Sequence, residues 1–203
     1  MVFPSEMIQI VAKRHHTYSL FTIHYYLGIR PNDTKEVCPM KTPKTMNPAH
    51  TQALMGLLNK APYFSLLGMD FQVMEPGYCR LVVPLDYSRH GNSFGAVHGG
   101  VYSSIIDTVA YWALYCQMEE DQGYTSLDLN VTNLGMVQSG TLIAEGHVVR
   151  AGRSICLSEA TVKNQDGKLL AHGTSKLMVL EGKQSIHTLL AAEGANPLPP
   201  KFL

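Results

Sequence analysis

Long apolar runs are missing from this 203-residue chain: no stretch of about 18 consecutive apolar residues occurs, which excludes a membrane-spanning helix. Net charge is missing too. Sixteen basic and sixteen acidic residues balance to zero, leaving none of the basic field that nucleic-acid binding draws on. Cysteine is sparse, and the four present (Cys38, Cys79, Cys116, Cys156) stand alone without a C-x-x-C pair. They read as reduced thiols in a reducing compartment, not as a disulfide framework, so a cytoplasmic location is expected. Nine histidines are scattered, only His15 and His16 being adjacent, with no Cys or Glu at ligand spacing; no metal is expected. Residues 13–29 have the basic start and apolar middle of a signal peptide. His24 interrupts that middle, however, and no small-x-small cleavage site follows.

What the chain does have is an unusual stretch at residues 92–116, a glycine-punctuated loop (Asn92 to Gly100) running into VYSSIIDTVAYWALYC. Val101, Ile105, Ile106, Val109, Ala110, Trp112, Ala113 and Leu114 cover most of a helix circumference, and a helix apolar nearly all round is buried nearly all round. Asp107 is the one ionisable group inside it. A carboxylate there costs free energy unless it is hydrogen-bonded, faces a cleft or does chemistry. At the other end, Gly99 and Gly100 leave first-turn N–H groups unshielded where the helix dipole favours negative charge. An anion-stabilising end and a lone carboxylate two turns on suit acyl-transfer chemistry.

Around this stretch the chain divides into three parts. Residues 1–45 are expected to be a poorly ordered extension, with an aromatic patch at Tyr18–Ile29, and residues 46–182 the folded domain. Residues 183–203 read as a tail with a short helix at 183–193 and fraying from Asn196. Asn47-Pro48 caps a helix to about Lys60 with Leu54, Leu57 and Leu58 inward, ended by Pro62. A hairpin from Met69 turns at Pro76-Gly77. After the apolar helix, strands are expected over 124–133, 141–150, 154–163 and 169–180, with Asp166-Gly167 a hairpin turn. In the first of these, Leu127, Leu129 and Val131 would face one way and Ser126, Asp128 and Asn130 the other. A single apolar helix followed by a four-stranded antiparallel meander has one economical α+β solution, a sheet curled around the helix.

Asn92, Gly95, His98-Gly99-Gly100 and Asp107, nine residues after the histidine, together with Ser126-Leu-Asp-Leu-Asn, resemble the hotdog-fold acyl-CoA thioesterases of the PaaI type over residues 50–181. The resemblance implies hydrolysis of an acyl-CoA thioester without a cofactor, in a homodimer or a dimer of dimers, with no nucleic-acid or membrane partner. It also puts a Ser or Thr from the strand after the helix into the site. Asp107 would be general base or nucleophile, Gly99 the oxyanion donor, and Ser126 would hold the attacking water or the carboxylate. Asn92 would orient the substrate or merely bend the loop, and His98 would brace the loop. The glycines could equally serve close packing of the helix start on a strand. Phe64, Leu67, Trp112 and Gly100 are candidates for the substrate cleft. Arg150 and Arg153, with Arg89 behind them, are candidates for the coenzyme phosphates.

Eight positions separate Gly99 from Asp107, about 12 Å along one helix, too far for both to serve one carbonyl. Two antiparallel copies of the helix about a two-fold axis would bring one chain's Gly99 beside the other's Asp107, so a site shared by two subunits is expected. The rival readings are a hotdog hydratase or dehydratase, pairing His90 or His98 with Asp107, and a non-catalytic acyl-CoA binding module.

Overall fold

The computed structural model describes residues 44–120, 122–180 and 185–203. The expectations for residues 1–43 lie outside these. Helix α1 (Pro48–Leu58) starts as its sequence dictates: Asn47 Oδ1 accepts the Ala49 N–H at 3.0 Å, and Pro48 occupies the first turn. Leu54 and Leu58 are buried, but Leu57 faces outward, a correction to the inward trio. Pro62 does more than end α1. It opens a one-turn helix, α2 (Pro62–Leu66), which carries Tyr63 and Phe64.

The hairpin β1 (Asp70–Glu75) and β2 (Tyr78–Pro84) turns at Gly77, whose φ of 76° only glycine adopts without strain. A four-residue helix, α3 (Tyr87–His90), precedes the central helix α4 (Gly99–Gln117). Strands β3 (Gly123–Asn133), β4 (Thr141–Arg150), β5 (Ile155–Asn164) and β6 (Leu169–Leu180) follow, then the short helix α5 (Ile186–Ala192).

The sheet is six-stranded and antiparallel throughout, in the order β1-β2-β4-β5-β6-β3. It wraps α4, which packs against all six strands in a hotdog arrangement of the α+β class. Twelve of the nineteen residues of α4 are buried, as its near-continuous apolar surface requires. Ile105, Ile106, Val109 and Leu114 are wholly enclosed, each stabilising the fold by about 1.5–3 kcal/mol. The sheet accommodates the helix through glycine. A Cβ at Gly146 would lie 2.4 Å from the Val109 carbonyl oxygen, so the two backbones cross where no side chain intervenes.

The expected four-strand meander needs correction. β4, β5 and β6 are consecutive neighbours, but β3 pairs with β6 at the sheet edge and not with β4. Residues 134–140 bridge the gap. Leu134 and Gly135 donate to Leu170 O, Val97 donates to Val137 O, and Leu85 donates to Gly140 O, so the connection passes beneath the loop that starts α4.

The C-terminal residues do not fray. Asn47 N–H donates to Lys201 O, Leu203 N–H to Thr45 O, and Met46 and Phe202 form a bridge. Lys201 is fully enclosed, its Nζ donating to the Met118 carbonyl at 2.7 Å and lying 3.8 Å from the Tyr115 ring centroid. It thus neutralises carbonyls at the end of α4, where a cation complements the helix dipole.

Candidate active site

The loop before α4 is held by its own polar groups. Asn92 Oδ1 accepts from Phe94 N (2.8 Å) and Ala96 N (3.2 Å), and the Asn92 N–H donates to Ala96 O. Its acceptor oxygen is therefore engaged in bending the loop, the structural alternative weighed for it. His98 is the N-cap of α4, with Nδ1 accepting the Gly100 N–H at 2.9 Å. That bond occupies the Gly100 amide. The Gly99 N–H, by contrast, has no acceptor among the described residues and stands in the first turn of a 19-residue helix. Packing also restricts position 99: a Cβ there would meet Asn133 Nδ2 of β3 at 2.7 Å.

Two turns along α4, half-buried Asp107 receives two hydroxyls on one oxygen. Ser126 Oγ donates to Oδ1 at 2.9 Å and Ser175 Oγ to the same atom at 3.2 Å, leaving Oδ2 without a protein donor among the described residues. Ser126 was expected here; Ser175, fully buried on β6, was not. Its signal lay in the alternation of β6, where Ala171, Gly173, Ser175 and Leu177 face in while His172, Thr174 and Lys176 face out.

A β-bulge between Ser126 and Asp128 corrects the facing of β3. One extra residue, Leu127, resets the period, so Ser126 and Leu129 both address the helix although simple alternation would oppose them. Asp128 stays outside, paired with Lys176.

Asp107 opens onto a cleft of about 510 Å³, a volume suited to a small-molecule ligand. Its walls include Tyr63 and Phe64 of α2, Tyr111, Trp112 and Tyr115 of α4, and Leu129 of β3. Trp112 meets Tyr111 and Tyr115 edge-on at 5.2 and 5.1 Å between ring centroids, which fixes the aromatic surface. Burial pushes the Tyr111 phenol up, and the Asp107 charge adds to this; burial likewise raises Tyr115. Both remain neutral hydroxyls. Of the three apolar candidates, Phe64 and Trp112 line this cleft, whereas Leu67 belongs to the core and does not line it.

Elsewhere, Arg150 and Arg153 line a second cleft of about 410 Å³ with Lys176, three cations on one rim. Arg89 instead pairs with Asp86 within α3 at 3.3 Å. The loop histidine His90 is buried, with Nδ1 accepting from Asp86 N (3.0 Å) and Nε2 therefore donating to Leu67 O (3.0 Å). Among the described residues no cluster of His, Cys, Asp or Glu could hold a metal ion. The described cysteines are buried free thiols, those of Cys79 and Cys116 pushed well up by burial and so poor nucleophiles.

Known proteins share this architecture. The thioesterase superfamily model matches residues 94–171, from the glycine loop to the first residues of β6. A protein named as an esterase from Halobacterium salinarum is 32% identical over 102 residues, 48% of this chain and 67% of that one. Acyl-coenzyme A thioesterase 13 of Homo sapiens is 29% identical over 87 residues, 42% of this chain and 61% of its own length. Among solved structures, a thioesterase from Haemophilus influenzae superposes with a TM-score of 0.61 at 25% identity, covering 67% of this chain and 94% of that one. With helix, sheet order, glycine loop and sequence likeness in agreement, the chain belongs to the thioesterase superfamily of hydrolases.

Proposed function

We propose that the protein hydrolyses acyl-CoA thioesters, with Asp107 driving attack and the Gly99 amide of a second copy receiving the oxyanion. The observation that carries this reading is the Asp107 carboxylate, pinned through Oδ1 by Ser126 and Ser175, with Oδ2 free of protein donors among the described residues, in a residue that lines an aromatic cleft. Oδ2 accepts a proton from water as the water oxygen bonds to the thioester carbonyl carbon. Negative charge then grows on the carbonyl oxygen, and a fixed backbone donor aimed there is worth about 3–4 kcal/mol. Collapse breaks the C–S bond, and the proton held by Asp107 leaves with the coenzyme thiol. Products are R–COOH and HS–CoA, so atoms balance with one water consumed.

One helix cannot supply both groups to one carbonyl, since Gly99 and Asp107 lie about 12 Å apart along it. The sheet edge supports a two-fold partner. β3 is an eleven-residue edge strand with Leu127 51% and Leu129 38% exposed, an edge that soluble proteins cover or blunt. Pairing of two β3 edges would set the two α4 helices antiparallel. Arg150 and Arg153, lining the second cleft, supply charge of the sign the coenzyme phosphates need, whereas Lys176 beside them is paired with Asp128.

Both loop histidines are occupied, His98 as a helix cap and His90 between two backbone groups, which weighs against a hydratase built on either. The discriminating experiment presents short, long and aryl acyl-CoAs and follows free thiol together with enoyl absorbance. Thiol release supports hydrolysis. An absorbance change without thiol supports hydration instead, and silence in both channels with measurable binding supports a sensor.

A further inference from the structure

The family match ends at residue 171, yet the wall of the cleft does not. Ile186 and Leu189 of α5 line the same cavity as Asp107, Trp112 and Tyr115. Ser185 caps α5, its Oγ accepting the Thr188 N–H, and Leu190 is buried in the core. Ile186 and Leu189, three residues apart and so neighbours on one side of α5, both line the cleft while Leu190 packs in the core. His187 Nε2 lies 3.1 Å from Glu120 Oε1, and the His187 ring is 6.3 Å from that of His50, which hydrogen-bonds Tyr115. These contacts fix α5 at the Tyr115 end of the cleft. That end is eight residues, about 12 Å, beyond Asp107 along α4.

We infer that α5 is the end wall of the cleft and sets the length of acyl group admitted, with Ile186 and Leu189 as its specificity-determining residues. Leu189 is 50% exposed and Tyr63 52%, two lining residues that leave apolar surface open as an apolar occupant requires. An acyl group whose carbonyl sits at Asp107 runs along the aromatic face of α4 and stops against α5. This inference rests on the hydrolase reading for its substrate, but its geometry concerns the cleft alone, so the two fail separately.

The test uses the full chain and Leu189→Ala and Leu189→Phe variants, both at a half-exposed position that folding tolerates. Trp112 is the only tryptophan in the sequence and stands in the cleft, so its fluorescence reports occupancy without catalysis. Titration with straight-chain fatty acids of graded length should show a length beyond which wild-type binding falls. Leu189→Ala should move that length upward and Leu189→Phe downward, and kcat/KM for the first acyl-CoA beyond the wild-type limit should rise at least tenfold in Leu189→Ala. Length profiles that coincide in all three proteins would overturn the end wall. Profiles that shift in the titration while no protein releases thiol would support the wall and remove the hydrolase.

Discussion

Asp107 is tethered by two hydroxyls on a single oxygen, which orients the other oxygen without neutralising the charge. Asp107→Asn preserves shape and hydrogen-bonding capacity but accepts no proton. It should lower kcat by roughly 10²–10⁴-fold with little change in KM or unfolding midpoint, as steady-state kinetics and thermal melts can check. Turnover within threefold of wild type would take the carboxylate out of the chemistry. Ser126→Ala and Ser175→Ala should each lower kcat about tenfold, and the double variant should lose less than the product because both donate to one atom. Asp107, Ser126, His98 and Trp112 were legible in the sequence because each is an anomaly in its own setting or belongs to a spaced motif. Ser175 was not. Its role exists only once β6 is registered against β3, which sets Ser126 opposite Leu177 and Ser175 opposite Leu129, a pairing between distant segments that no local pattern encodes.

At the scale of elements, the seat of α4 on the sheet sets the site. Gly146→Val drives a side chain into the α4 backbone at Val109 and should destabilise the fold by roughly 3 kcal/mol in urea unfolding. Gly56→Ala, in exposed α1 with nothing within 4 Å of the new Cβ, should stabilise by about 0.5–1 kcal/mol. Element positions were readable from periodicity and turn residues. The sheet order and the β3 bulge were not, because one extra residue reverses a face without altering composition.

The tail departs from the fraying expected of it for a related reason: a proline-rich segment lacks regular structure, yet Lys201 makes it a plug for α4. Burial holds the Lys201 amine down to about 8, against about 10.4 in an unfolded chain. The native protein sheds this proton first, so the lysine's contribution to stability rises with pH between those values. The thiols of Cys79 and Cys116 act oppositely, since burial raises both and unfolded thiols ionise first above about 8.5. Comparison with Lys201→Met, made with Cys116→Ala in both proteins because the Lys201 charge acts on that thiol, cancels the Cys79 contribution. The stability difference, lysine protein minus methionine protein, should grow by about 2 kcal/mol between pH 7.5 and pH 10 in urea titrations. A difference independent of pH would show that the amine keeps its ordinary proton affinity.

For the whole molecule, the proposed mechanism makes assembly part of the chemistry, because amide and carboxylate are separated along one helix. Two inactive subunits should therefore complement each other. Gly99→Pro removes the amide donor at a first-turn position that tolerates proline, and His98 before it is already extended at φ −69°, ψ 136°. Because Asn133 Nδ2 crowds position 99, Asn133→Ala accompanies it. The most direct test mixes that protein with Asp107→Asn at equal concentration, exchanges subunits, and measures thiol release. Half the dimers are then mixed, and each has one of its two sites intact, so activity should return to about a quarter of wild type. Mixed dimers shown to form and yet as inactive as either parent would contradict a site shared between two chains.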